Sequence, residues 1–185
     1  MSFAISTDTS ANLPTAELQW HQLYLLPFSY IVDDVEHQCL DLTAFDGDAY
    51  YEMLRHTPAS TSMISMDQYR RLWEPLLQEG QDVLHVGMSS GISGAYQSAV
   101  MAARELREAY PDRRLVVFDT RAASLGEGIQ VLHAATCREA GYTLDETVRE
   151  LTELRPRIRQ IFTVDDLMHL RRGGRVSAVS AAAGR

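Results

Sequence analysis

Val83-Leu84-His85-Val86-Gly87-Met88, followed by Ser89-Ser90-Gly91-Ile92-Ser93-Gly94-Ala95-Tyr96, is the stretch from which the fold is read. The first six residues form a short, mostly apolar run bounded by turn signals, as in a buried strand. The next six are small, polar and Gly-rich, and Ala95 to Tyr110 has the apolar spacing of a helix. A strand, a Gly/Ser turn and a helix bring hydroxyls and backbone N–H groups to a helix N-terminus. Such an end suits a carboxylate or a phosphate. The stretch fits neither of two neighbouring enzyme motifs. A phosphate loop requires a Lys after its Gly and then Ser or Thr. A nucleophile elbow requires Gly-x-Ser-x-Gly, whereas Gly94 follows Ser93 directly.

The whole chain is consistent with that local reading. Its 185 residues allow one domain, or one and a part. Hydrophobic content of 45% and charged content of 23% are ordinary for a soluble globular protein. A net charge of −8 argues against nucleic acid as a partner, because phosphate contacts need a basic stripe. No run has the length of a membrane span, and Met1 to Ser6 lacks the basic n-region of a signal peptide. The expected location is therefore the cytoplasm, without stable membrane insertion. Cys39 and Cys137 carry no partner motif and read as ordinary thiols. His85 reads as a core histidine, and neither His133 nor His169 has metal-ligand spacing.

Working outward toward the N-terminus, Phe3 to Ser6 reads as a strand running into the polar loop Thr7-Asp8-Thr9-Ser10, with Asn12 capping a helix that continues to about His21. Leu23 to Val32 is a second apolar run, placed on an edge or broken by Pro27. Val35 to Cys39 is a returning hairpin arm, and Asp46 to His56 a helix. Thr57 to Ile64 reads as an extended polar loop. Ser65 with Gln68 forms a capping box for a helix whose apolar face is Tyr69, Leu72, Trp73, Leu76 and Leu77.

Toward the C-terminus, Leu115 to Phe118 is a strand ending in Asp119-Thr120. A helix spans about Ser124 to Ala140 and stops at Gly141. Thr143 with Glu146 opens another helix, to about Leu154. Ile158 to Val164 reads as a strand, Thr163 to Leu170 as a short helix, and Arg171 to Ser177 as a basic Gly turn. Strand–helix alternation, with polar residues where strands end, predicts an α/β fold. Its mostly parallel sheet has helices on both faces and a site at the carboxyl ends of its strands.

Five blocks, in order, resemble the DegV family of bacterial fatty-acid-binding proteins. They are Ser6-Thr7-Asp8-Thr9-Ser10-Ala11-Asn12-Leu13-Pro14, Thr61-Ser62, Ser89 to Ala99, Phe118-Asp119-Thr120, and Leu167 to Ser177 with its Gly173-Gly174-Arg175-Val176-Ser177 core. The resemblance implies a two-domain α/β protein that buries a long-chain fatty acid. This chain would supply a DegV-like N-terminal domain, residues 1–157, and the incomplete beginning of a second α/β domain, residues 158–185.

The resemblance also implies that Thr61 and Ser93 hold the carboxylate, with Ser62, Ser90, Gly94, Asp8 and Asp119 around it. Asp8 and Asp119 are expected to face solvated loops and to orient hydroxyls from behind. Arg175 is the expected cation for phosphate or for a partner. The implied partner is a separate fatty acid kinase that converts the carboxylate to an acyl phosphate for phospholipid synthesis. The chain itself would do no chemistry and use no cofactor or metal. The chain departs from the family pattern in three places: Thr9 for Ser, Ala95 for Thr, and Met63-Ile64 for Gln-Pro. A half-tunnel left open by a short second domain would expose apolar surface, so a homodimer is expected. The rival reading is a small serine hydrolase using Ser93 or Ser90, which requires a histidine base within reach.

Overall fold

Ala4–Asp8 and Val83–Gly87 lie side by side as the buried central strands of a four-stranded parallel sheet in the computed structural model, which describes residues 3–38 and 45–163 together with Leu170 and Gly174. In chain order the strands are β1 (Ala4–Asp8), β2 (Leu23–Leu26), β3 (Ser29–Val32), β4 (Val35–Gln38), β5 (Ala59–Ser62), β6 (Val83–Gly87) and β7 (Leu115–Asp119). The helices are α1 (Thr15–Trp20), α2 (Gly47–His56), α3 (Met66–Gln78), α4 (Ala95–Ala109), α5 (Leu125–Glu139) and α6 (Leu144–Leu154), with 3-10 turns at Thr9–Ala11 and Arg155–Arg157. No helix among the described residues is long and apolar enough to cross a membrane.

The parallel sheet has the order β2-β1-β6-β7. From β1 the chain moves outward to β2, then returns to β6 on the other side of β1 and moves outward again to β7. The strand order therefore reverses between β1 and β6. In open α/β sheets that is the crevice where ligands bind. Period-two alternation sends successive side chains to opposite faces. Ala4, Val83 and Leu115 pack with Trp73, Leu76, Ala99 and Ala102 of α3 and α4. Ile5, Leu84, Val86 and Phe118 pack with Leu18, Val131, Ala134 and Leu151 of α1, α5 and α6. The alanines along α4 leave the room that its close packing needs.

Both predicted capping boxes are present, Ser65 with Gln68 and Thr143 with Glu146. Gly141 takes a positive φ of 86° just beyond α5, as a helix stop requires. Pro27 divides the second apolar run between two sheets: β2 ends before it, and β3 begins a separate antiparallel sheet of order β4-β3-β5.

Three local expectations are corrected. Thr57–Ile64 is not a loop throughout, because Ala59–Ser62 pairs antiparallel with β3 as an edge strand. Its polar residues carry no alternation because Ala59, Ser60 and Thr61 face solvent. Asn12 does not cap α1. It ends the preceding 3-10 turn with a φ of 52°, and its Nδ2 donates to Ser124 Oγ at 2.9 Å. Pro14 instead stands at the α1 cap position, with no side-chain bond. Residues 158–163 form no strand; the Arg155–Arg157 turn precedes them, and Ile161 and Phe162 are exposed. Cys39, Val164, the Asp165-Asp166 helix start, His169 and the basic turn with Arg175 lie outside the described residues.

Candidate functional site

At the crevice between β1 and β6, two chain segments leave the sheet together. Asp8 ends β1 and is 1% exposed. Its Oδ1 accepts from the Ser10 N–H at 2.9 Å, and its Oδ2 accepts from the Met88 N–H at 3.1 Å. One carboxyl thus ties the turn after β1 to the turn after β6. The second turn folds around Ser89: Ile92 and Ser93 donate their N–H groups to Ser89 O, and Gly91 donates to Ser89 Oγ. Ser93 is delivered to the start of α4, where its Oγ accepts from the Ala95 N–H at 3.1 Å. That bond leaves the Ser93 hydroxyl proton available.

A cavity of about 650 Å³ opens above this floor. Thr9, Ser10, Met88, Ile92, Ser93 and Gly94 line it from the parallel sheet, Phe28, Thr61, Ser62 and Met63 from the antiparallel sheet and its flanks, and Leu170 completes it. The volume falls in the usual range for small-molecule sites, as does a mainly apolar wall with a few convergent polar groups. Two contacts join the walls. The Phe28 N–H donates to Thr9 Oγ1 at 3.0 Å. A Cβ on Gly94 would come within 3.0 Å of Met63 Sδ, so the absence of a side chain lets the methionine lie across the α4 start.

Of the residues singled out from sequence, Thr61, Ser62, Ser93 and Gly94 converge on this cavity. Asp8 lies beneath it, buried rather than facing a solvated loop. Ser90 and Asp119 do not line it but bond each other: Ser90 Oγ donates to Asp119 Oδ2 at 2.6 Å, and Asp119 Oδ1 accepts from the Ser90 and Arg121 N–H groups. His85 is a core histidine. Its Nδ1 pairs with Ser6 Oγ at 3.1 Å, Trp73 Nε1 donates to the same oxygen at 2.9 Å, and burial pushes its pKa down to about 3. His133 faces Cys137 and Glu150. Among the described residues neither Ser90 nor Ser93 has a histidine partner, so the hydrolase reading finds no support.

The sequence reading missed Glu127. It sits in the first turn of α5, fully buried. Thr7 Oγ1 donates to its Oε1 at 3.3 Å, and Ser10 Oγ hydrogen-bonds its Oε2. Burial pushes this carboxyl up to about 10. The charge of Asp8 adds to that, and the bonds from Ser10 and Thr7 oppose it. Burial likewise raises Asp8, against the bonds from Ser10 and Met88. The available signal was Gly126-Glu127-Gly128, an acid between two glycines at a helix start. A Cβ on Gly128 would lie 2.7 Å from Ala11 O, so the glycine lets α5 approach the Thr9–Ala11 turn and brings Glu127 to Ser10.

A family model described as "Uncharacterised protein, DegV family" matches residues 2–185. A DegV domain-containing protein of Clostridium perfringens is 34% identical over 183 residues, covering 98% of this chain and 63% of that protein. The chain thus spans less than two thirds of the length of the curated relatives it matches. Among solved structures, a DegV family protein from Thermus thermophilus described for fatty acid binding superposes with a TM-score of 0.84 at 29% identity, over 100% of this chain and 64% of that one. The fatty acid binding DegV family protein from Streptococcus agalactiae gives 0.82 at 30% identity, with the same coverage.

Proposed function

The chain belongs to the DegV family, and from that premise we propose that it holds a long-chain fatty acid at the β1/β6 crevice. Thr61 and Ser93 take the carboxylate there, and Ser62 and Gly94 shape the pocket beside them. The observation that carries this reading is the 650 Å³ cavity in which Thr61, Ser62, Ser93 and Gly94 meet Phe28, Met63, Met88 and Ile92. Hydroxyl groups within a mainly apolar lining fit a molecule with a polar head and a long hydrocarbon tail.

Magnitudes divide the labour. A long acyl chain buries a dozen or more methylenes at about 0.8 kcal/mol each, roughly 10 kcal/mol gross. A hydrogen bond to a charged group contributes only about 1.5–3 kcal/mol. The apolar wall sets affinity, and the hydroxyls set the orientation of the head. The Thermus and Streptococcus relatives are described as binding fatty acids. In this reading the chain is a cytoplasmic, non-catalytic carrier, residues 1–157 forming its first domain. It offers the oriented carboxylate to a separate kinase for acyl-phosphate formation, with Arg175 as the cation assigned to that partner or its phosphate.

Native mass spectrometry of the purified protein tests the carrier function, followed by denaturing extraction and lipid analysis. The expected result is a mass excess that disappears on extraction and is recovered as fatty acid. Protein that emerges at its bare mass, and takes up no palmitate when loaded with it, would contradict the reading.

A further inference from the structure

The two walls of the cavity approach each other at its rim through Met63 and Gly94. Met63 follows β5, Gly94 precedes α4, and both line the cavity. Met63 is also 52% exposed, which places it at the mouth, between cavity and solvent. Gly94 has a φ of −68° and a ψ of −7°, in the right-handed region open to any residue, so its backbone does not require glycine. Its surroundings do. A Cβ there would come within 3.0 Å of Met63 Sδ and 3.9 Å of Met63 Cε. The thioether fills the space that the glycine leaves. The contact falls where the polar groups are: Ser93 immediately precedes Gly94, and Thr61 and Ser62 immediately precede Met63.

A thioether has no proton to donate and accepts only weakly, so Met63 offers an anionic head no strong hydrogen bond. It acts by volume. Hydroxyl groups recognise oxygen atoms, and a carboxylate and an ester both present them. A side chain that closes the rim beside those hydroxyls adds a test of length. A carboxylate ends at its two oxygens, whereas an esterified or amidated carboxyl continues into the space that the methionine occupies. We propose that Met63 is a specificity-determining residue at the head-group end: its thioether, seated against Gly94, closes the rim so that a bare carboxylate fits and a carboxyl extended by an ester, thioester or amide does not. This inference deepens the fatty-acid reading and rests on it, naming the ligand class as free acids. Methionine is unbranched and has three rotatable bonds, so it closes the rim without forming a rigid plug against entry.

The experiment measures displacement of a fluorescent long-chain fatty acid, its carboxyl free, by palmitate and by ethyl palmitate. Wild type, Met63→Ala and Met63→Leu are compared. Wild type should prefer palmitate. Met63→Ala should bind the ester about tenfold or more tightly than wild type does, the relief of one steric overlap, while palmitate changes less. Leucine nearly conserves the volume of methionine, so Met63→Leu should discriminate like wild type. Gly94→Ala, which crowds the sulfur, should move the acid-to-ester ratio more in wild type than in Met63→Ala. Wild type that binds the ester as tightly as the acid, an unchanged ratio in Met63→Ala, loss of discrimination in Met63→Leu, or equal effects of Gly94→Ala in the two backgrounds overturns the specificity role while leaving the carrier reading intact. Wild type that takes up neither the fluorescent acid nor palmitate overturns the carrier reading and this inference with it.

Discussion

The parallel and antiparallel sheets meet at one cavity but are built to different standards. β1 and β6 are buried at every residue, with a packed core on each face. In the antiparallel sheet β4 is exposed throughout, three of the four residues of β5 are exposed, and α2 contributes no buried residue. What orders the smaller sheet is strand pairing and a set of aromatic contacts: Tyr30 on His37 at 5.1 Å and on Tyr50 at 5.0 Å, and Tyr50 against Phe45 at 5.3 Å. The cavity therefore has a hard wall, bearing Ser10 and Ser93, and a soft wall, bearing Thr61, Ser62 and Met63. Regions with few buried apolar contacts open at lower free energy. A ligand that must enter an apolar cavity would be admitted by the soft wall and held between the two.

Paired substitutions give the largest contrast. Trp73 is fully buried, its ring 4.8 Å from Tyr69 and 5.3 Å from His85, and its indole N–H answers Ser6. Trp73→Ala should cost about 3–5 kcal/mol in urea denaturation. Tyr50→Ala, its counterpart in the antiparallel sheet, should cost about 1 kcal/mol. Equal costs would mean that the two regions unfold as one unit and would remove the hard-and-soft distinction.

A smaller effect, spread over pH, sharpens the contrast because its groups lie in the parallel-sheet region. His85 is held neutral, its pKa depressed from 6.5 to about 3. Its contribution to stability is present above pH 6.5 and is lost as pH falls toward 3. Glu127 is held neutral in the opposite sense, its pKa raised from 4.5 to about 10. Its contribution is complete below pH 4.5 and is lost as pH rises through about 10. Each slope amounts to about 1.4 kcal/mol per pH unit inside its window. Denaturation at alkaline pH should therefore show wild type losing stability faster than Glu127→Gln. Parallel profiles for the two proteins would show that Glu127 ionises freely in the fold.

Much of the hard wall was legible in the sequence, and the soft wall much less so. The strands of the parallel sheet are apolar runs of the right length, and the helices carry capping boxes that the chain obeys. Ser93 and Gly94 were placed because a Gly/Ser turn between strand and helix has few alternatives. β5 was read as loop because an exposed edge strand bears no alternation of apolar and polar residues. Thr61 came into view only through the family resemblance. Glu127 was overlooked because an acid early in a helix normally faces solvent and favours the positive end of the helix dipole. Only packing against the Thr9–Ala11 turn reveals that it is enclosed, although Gly128 recorded the close approach. Asp8 was misjudged for a related reason: a strand-end carboxylate reads as solvated until the two N–H groups that enclose it are known.

The central claim is that both walls grip one head group, and isotope-filtered NMR tests it most directly. With ¹³C-labelled protein and an unlabelled long-chain fatty acid, the methylene next to the carboxylate should show contacts to both the Thr61 methyl and the Ser93 β-protons. Contacts to neither, or the terminal methyl of the acid found there instead, would contradict the account.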